Sequence, residues 1–189
     1  PQELSTISVP FVCCSYTNDF GTLAEDAYAS VSIDDQQAAY DAVKHLIDLG
    51  HRRIAALIPD CSDRSISELR YNGYRAALFA HDIPFDPQLV VETGGCFEME
   101  EAYQGALTLL ARKVPFTGLL TLSDTMAMAA MKALNDQGVR VPEDCSVIGI
   151  DGLRMSHYCI PTLTTMVQPV EEMGRQGVAL LMDMVLEEI

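Results

Sequence analysis

Arg64, Arg70, Phe97, Ser123 and Asp151 each stand at or just after the end of a short apolar run. The two arginines follow RIAALIP (53–59), Phe97 follows QLVVE (88–92), Ser123 follows TGLLTL (117–122), and Asp151 closes SVIGID (146–151). An arginine offers planar donors that grip vicinal hydroxyls, carboxylates or phosphates. An aspartate accepts from hydroxyls or ring N–H groups, and a phenylalanine gives a flat apolar wall. This is a vocabulary for binding a small polar molecule. Each residue also has a structural role open to it: Arg64 can be solvated, Ser123 can cap a helix, and Asp151 can hold a turn.

Catalytic motifs are absent from the sequence. No GxGxxG follows a strand, and there is no GxxxxGK[ST], GxSxG or HExxH, so dinucleotide, phosphate-loop, acyl-transfer and zinc chemistry have no motif to rest on. Gly94 and Gly95 read as a turn. His45, His51, His81 and His157 are scattered, and none has a catalytic partner nearby in sequence. The acids Glu98, Glu100, Glu101, Glu171 and Glu172 fall in first turns of expected helices, where they complement the helix dipole. Cys13, Cys14, Cys61, Cys96, Cys145 and Cys159 show no CxxC or Cys/His spacing, which predicts no metal, no cofactor and a reduced cytosolic setting. We therefore expect a binding protein, not an enzyme.

The elements that must position these residues alternate β-branched or aliphatic runs with stretches of helical period. That is the pattern of βαβ units and a parallel sheet. The four runs are the strands. Between them the spacing predicts a helix starting near Ser67 as N-cap and carrying Arg70, a helix from about Glu98 to Arg112, and a helix from Ser123 or Asp124 to Gly138. In such a sheet ligands bind outside the carboxyl ends of the strands, the edge that all five residues share. Upstream, a strand (8–14) and a helix (35–49, capped by Asp34) are legible. Downstream, 169–189 is amphipathic. The flanks supply one obvious strand for two helices, so they read as parts of a second lobe.

With 189 residues, 49% hydrophobic and 21% charged, the chain is a globular one, and no run is long and apolar enough for a membrane span. Its formal net charge of −15 repels phosphate backbones, so this chain by itself is not expected to grip DNA.

The stretches SVSIDDQQAAYDAVKHLIDLGHRRIAAL, ELRYNGYRAAL with DIPFDPQLVVE, LTLSDTMAMAAMKALNDQGVRVPEDCSVIGIDG and IPTLTTMVQPVEEMGRQGVALLMDMV, in this order and spacing, resemble the LacI/GalR family of bacterial transcriptional repressors. The resemblance implies a periplasmic-binding-protein-like α/β fold of parallel sheets flanked by helices, with one complete lobe and part of a second. Residues 53–167 would form the C-terminal lobe, 1–52 and 168–189 a partial N-terminal lobe, and the helix-turn-helix head would lie outside the chain. It implies a small-molecule effector, a sugar or related metabolite, held by Arg64, Arg70, Phe97, Ser123 and Asp151, with Ser15 and Tyr16 facing them from the other lobe and Gln168 at the cleft or hinge. Ser123 stands where many members have Asn, and VPFVCCSY lacks the acid that ends this strand in many of them. Operator DNA bound through that head, a homodimer and a cytoplasmic location are implied as well. The rival reading is a periplasmic sugar-binding protein of a transporter, which has the same fold. Replacing Arg70 or Asp151 by Ala is expected to abolish ligand-induced stabilisation and leave the fold intact.

Overall fold

The computed structural model describes residues 9–14, 29–59, 66–94 and 97–187. Five parallel strands form the main sheet in the order β4 (Val90–Thr93), β3 (Ile54–Pro59), β5 (Gly118–Thr121), β6 (Ser146–Asp151), β7 (Thr164–Val167). The side-chain period of two splits β3 between two cores. Ala55 and Leu57 face α3 (Met99–Ala111) and α4 (Asp124–Asp136) with Ala102, Ala106, Leu109, Ala130 and Leu134. Ile54, Ala56 and Ile58 face α1 (Asp35–Asp48) and α2 (Ile66–Ala80) with Val43, Leu46, Tyr74 and Leu78. Helices on both faces explain why β3 is buried along its whole length and reads as a continuous apolar run.

Side-chain caps set the starts of α1 and α4. Asp34 Oδ1 accepts from Gln37 N at 2.8 Å, and Ser123 Oγ accepts from Met126 N at 3.2 Å, each satisfying an orphan donor of a first turn. Gly138, at φ 77°, follows the end of α4 in the left-handed conformation that glycine tolerates. Ser67, expected as an N-cap, instead lies inside α2 and is buried.

Three features differ from the sequence expectation. Helix α1, assigned above with residues 1–52 to the partial lobe, packs on α2 and buries Ala42, Val43, Leu46 and Ile47 in the core of the five-stranded sheet. β7 adds a fifth strand beyond the four read from apolar runs. β2 (Ala29–Val31) pairs in parallel with β1 (Val12–Cys14), and α5 (Val170–Glu187) packs on these two strands. The smaller unit is therefore β1, β2 and α5, and α1 belongs to the larger one.

The α1–α2 contact is close because α2 carries Gly73. A Cβ there would lie 2.1 Å from the Gln36 carbonyl oxygen and 2.9 Å from the Ala39 Cβ, and a backbone carbonyl cannot swing aside as a side chain can. Alanine is the better helix former by up to about 1 kcal/mol, but here α1 would have to move away. Gly73→Ala is expected to lower stability by roughly 1–3 kcal/mol, measured by urea unfolding; an unchanged midpoint would show that the two helices separate freely.

Candidate functional site

The carboxyl ends of β5, β6 and β7 converge with the first turns of α1, α2 and α4 on a concavity of about 260 Å³, lined by Ile33, Asp35, Ile66, Arg70, Phe97, Ser123, Thr125, Asp151 and Gln168. Five residues expected at a binding cleft, Arg70, Phe97, Ser123, Asp151 and Gln168, share this one wall. Arg64, Ser15 and Tyr16 lie outside the described residues.

Arg70 is the centre of the arrangement. It is only 4% exposed, so its charge must be answered locally. Its Nε donates to Asp35 Oδ1 at 2.7 Å, its Nη1 donates to the Leu122 carbonyl, and the same nitrogen lies 3.6 Å from Asp151 Oδ1. The Phe97 ring centroid sits 5.9 Å from its guanidinium carbon, a cation–π distance. One guanidinium thus links α1, α2, β5, β6 and the loop before α3.

The two carboxylates pay for their position. Burial lifts the Asp35 carboxyl above its ordinary range, with Arg70 pulling the other way. Burial likewise lifts Asp151, against the pull of Arg70 and with Asp124 pushing in the same direction as burial. Asp151 has φ 144°, a region that favours glycine; such strain costs on the order of 1–3 kcal/mol and needs surrounding structure to hold it. Gln168 supplies part of that hold. Its Nε2 donates to Asp151 Oδ1 at 2.8 Å and its backbone N donates to the Asp151 carbonyl at 3.1 Å.

Ser123 caps α4, and its hydroxyl also shares a hydrogen bond of 2.9 Å with Thr125 Oγ1. The structural role suggested by sequence is therefore real, and it coexists with a place on the cavity wall. Phe97, at φ 59°, accepts a hydrogen bond of 3.4 Å from Thr125 Oγ1 through its carbonyl oxygen. Asp35, Ile33, Ile66 and Thr125 were not among the expected site residues. The pair Asp34–Asp35 carried a signal for one of them, because a single acid suffices to cap α1. The second, attributable to the helix dipole, is 3% exposed and serves Arg70 instead. Among the described residues no cluster of His, Cys, Asp and Glu could hold a metal ion.

The profile of the periplasmic binding protein-like domain matches residues 43–189. The chain belongs to this family. It is 35% identical to the helix-turn-helix-type transcriptional regulator MalR of Clostridium butyricum over 97% of its own length and 54% of that protein. The transcriptional regulator CelR, solved as its cellobiose complex, superposes on all of the chain and 63% of its own with a TM-score of 0.85 at 29% identity. A LacI family transcriptional regulator from Enterococcus faecium with bound ribose covers 94% of this chain and 62% of its own, with a TM-score of 0.79 at 32% identity. The LacI/GalR resemblance of the sequence motifs is borne out, and these relatives are transcriptional regulators rather than enzymes. The chain spans about half the length of the curated relatives it matches.

The expectation that Arg70 can be removed without harm to the fold does not survive this geometry. Without it the buried Asp35 and the partly buried Asp151 both lose their cation. Arg70→Met is expected to cost roughly 3–5 kcal/mol at neutral pH. A carboxyl whose folded pKa is raised binds more protons folded than unfolded, so its contribution is fullest below the ordinary aspartate value and is lost as pH rises through the raised one. Loss of Arg70 raises both values further, so the deficit of the variant should shrink on acidification and grow toward neutrality. Urea midpoints of both proteins across pH 4–8 measure this; a deficit independent of pH would mean that neither carboxylate depends on Arg70.

Proposed function

We propose that this chain is the effector-sensing domain of a bacterial transcriptional regulator. It takes a small polar ligand, a sugar or related metabolite, against Arg70, Asp151, Phe97, Ser123 and Gln168, with Arg64, Ser15 and Tyr16 as further contacts. Binding modulates a helix-turn-helix head that reads operator DNA and lies outside these 189 residues; the regulator works as a cytoplasmic homodimer. The observation that carries this reading is the buried Asp35–Arg70–Asp151 cluster opening on the cavity. A guanidinium and a partly accessible carboxylate beside an aromatic wall match the alternating donors, acceptors and apolar faces of a pyranose or furanose ring.

The cavity's charge narrows the chemistry. Arg70 is shared by two carboxylates, so among the described residues the cluster carries more negative than positive charge, and a ligand gains most by donating hydroxyls to Asp151. The cellobiose-bound and ribose-bound relatives support the same class. The net charge of −15 supports assigning DNA contact to another segment. The regulators among its relatives favour this reading over a transporter's solute-binding protein.

A ligand acts by preferring one arrangement of the molecule over another, and only to the extent of that preference. A thermal-shift screen of neutral sugars, sugar phosphates and nucleobases identifies it. At a concentration of about 100 Kd a true ligand adds roughly 2.7 kcal/mol, and Asp151→Asn is expected to erase most of that gain. An undiminished shift in the variant would place the ligand elsewhere.

A further inference from the structure

Asp124 is fully buried at the start of α4, does not line the cavity, and is bonded to two other segments. Its Oδ2 accepts from Leu153 N at 2.7 Å, and its Oδ1 accepts from Thr165 Oγ1 at 2.5 Å. The same Thr165 oxygen accepts from Gly152 N at 3.2 Å. The two residues after Asp151 are thus tied, one directly and one through Thr165, to a single carboxylate. β6 is built to admit it: a Cβ on Gly149 would lie 2.5 Å from Asp124 Oδ1.

A helix cap is not the explanation, because Ser123 already caps α4. A surface role is excluded by burial. What the bonds share is the turn that leaves Asp151, the residue held at φ 144°. We infer that Asp124 is the positioning residue of the cavity: through Leu153 and the Thr165 hydroxyl it locks the turn after β6 and so aims the Asp151 carboxylate at Arg70. Thr165 belongs to β7, the strand that runs on to Gln168, so the same lock ties the cavity to the connection leading into α5.

The inference concerns the site proposed above as the ligand site, but it is tested without a ligand, so its failure and the failure of that reading are separable. The charged groups facing Asp151 are Arg70 from α2 and Asp124 from α4, with Asp35 of α1 on the far side of Arg70; Gln168 adds a neutral donor. Carboxyl-detected NMR titration of the 189-residue chain with labelled aspartate follows Asp151 directly, and amide exchange reports on Gly152 and Leu153. Thr165→Val keeps every charge and removes the hydroxyl. It is expected to shift the Asp151 titration midpoint and speed exchange at Gly152 at least tenfold, whereas Thr165→Ser, which retains the hydroxyl, stays close to wild type.

Asp124→Asn weakens both anchors of the turn and is expected to speed exchange at Gly152 and Leu153. If that variant does not fold, the threonine pair alone decides. A Thr165→Val protein whose Asp151 titration and Gly152 exchange match wild type overturns the inference, even if its melting temperature falls. Equal shifts in the serine and valine variants overturn it too, since the hydroxyl would then not be what matters.

Discussion

A guanidinium withdrawn from water must be answered on every side, and the arrangement around Arg70 follows from that demand. Its Nε is met by Asp35 from α1, its Nη1 by the Leu122 carbonyl just after β5 and by Asp151 from β6, and one face by Phe97. Removing Arg70 would leave the buried Asp35 without a cation, which costs several kcal/mol. The helix bearing Arg70 is therefore fixed against α1 as well as against the sheet. Gly73, three residues further along α2, permits that approach by having no side chain to hold the helices apart. Packing and electrostatics thus agree on one geometry, and the cavity is where the carboxyl edge of the sheet remains accessible.

Much of the larger unit was legible in the sequence because its signals are local. Continuous apolar runs bounded by turn residues located β3, β4, β5 and β6, and caps located the starts of α1 and α4 to within a residue. β7 escaped because TTMV is an edge strand, only partly buried, and its threonines break the apolar run. β2 has three residues, too few for a period to register. The placement of α1 was illegible for another reason. An amphipathic face records that a helix covers something apolar, not which sheet it covers, and that choice is made by long-range packing.

Legibility of the cavity followed the same division. Topology put Arg70, Phe97, Ser123 and Asp151 at one edge, because strand ends in a parallel sheet face the same way. Partnership was not visible. Nothing local pairs Asp35 with Arg70 across 35 positions, or Asp124 with Thr165 across 41. The glutamates in first turns read as dipole complements, a role that explains an exposed carboxylate well and would explain the fully buried Asp35 and Asp124 poorly. Burial, not residue type, separates the two cases.

The position of the cavity bears on how binding could be felt beyond it. The chain passes between the smaller unit and the five-stranded sheet between β2 and α1 and again between β7 and α5. Ile33 and Asp35 stand at the first passage and Gln168 at the second, and all three line the cavity with Arg70 and Asp151. A change in the angle between the units therefore alters how Ile33 and Gln168 are presented to whatever contacts Arg70 and Asp151, which is the differential contact that a population shift requires. The raised carboxyl of Asp151 adds a proton to this balance. A ligand that donates to its ionised form favours that form, so binding releases protons and weakens as pH falls toward the raised value. The same low-dielectric setting that makes Asp151 costly to ionise makes a hydroxyl donated to it worth more than it would be in water. Under the function proposed above, an accessible carboxylate beside an already neutralised arginine is the place where a neutral polar ligand would have most to gain.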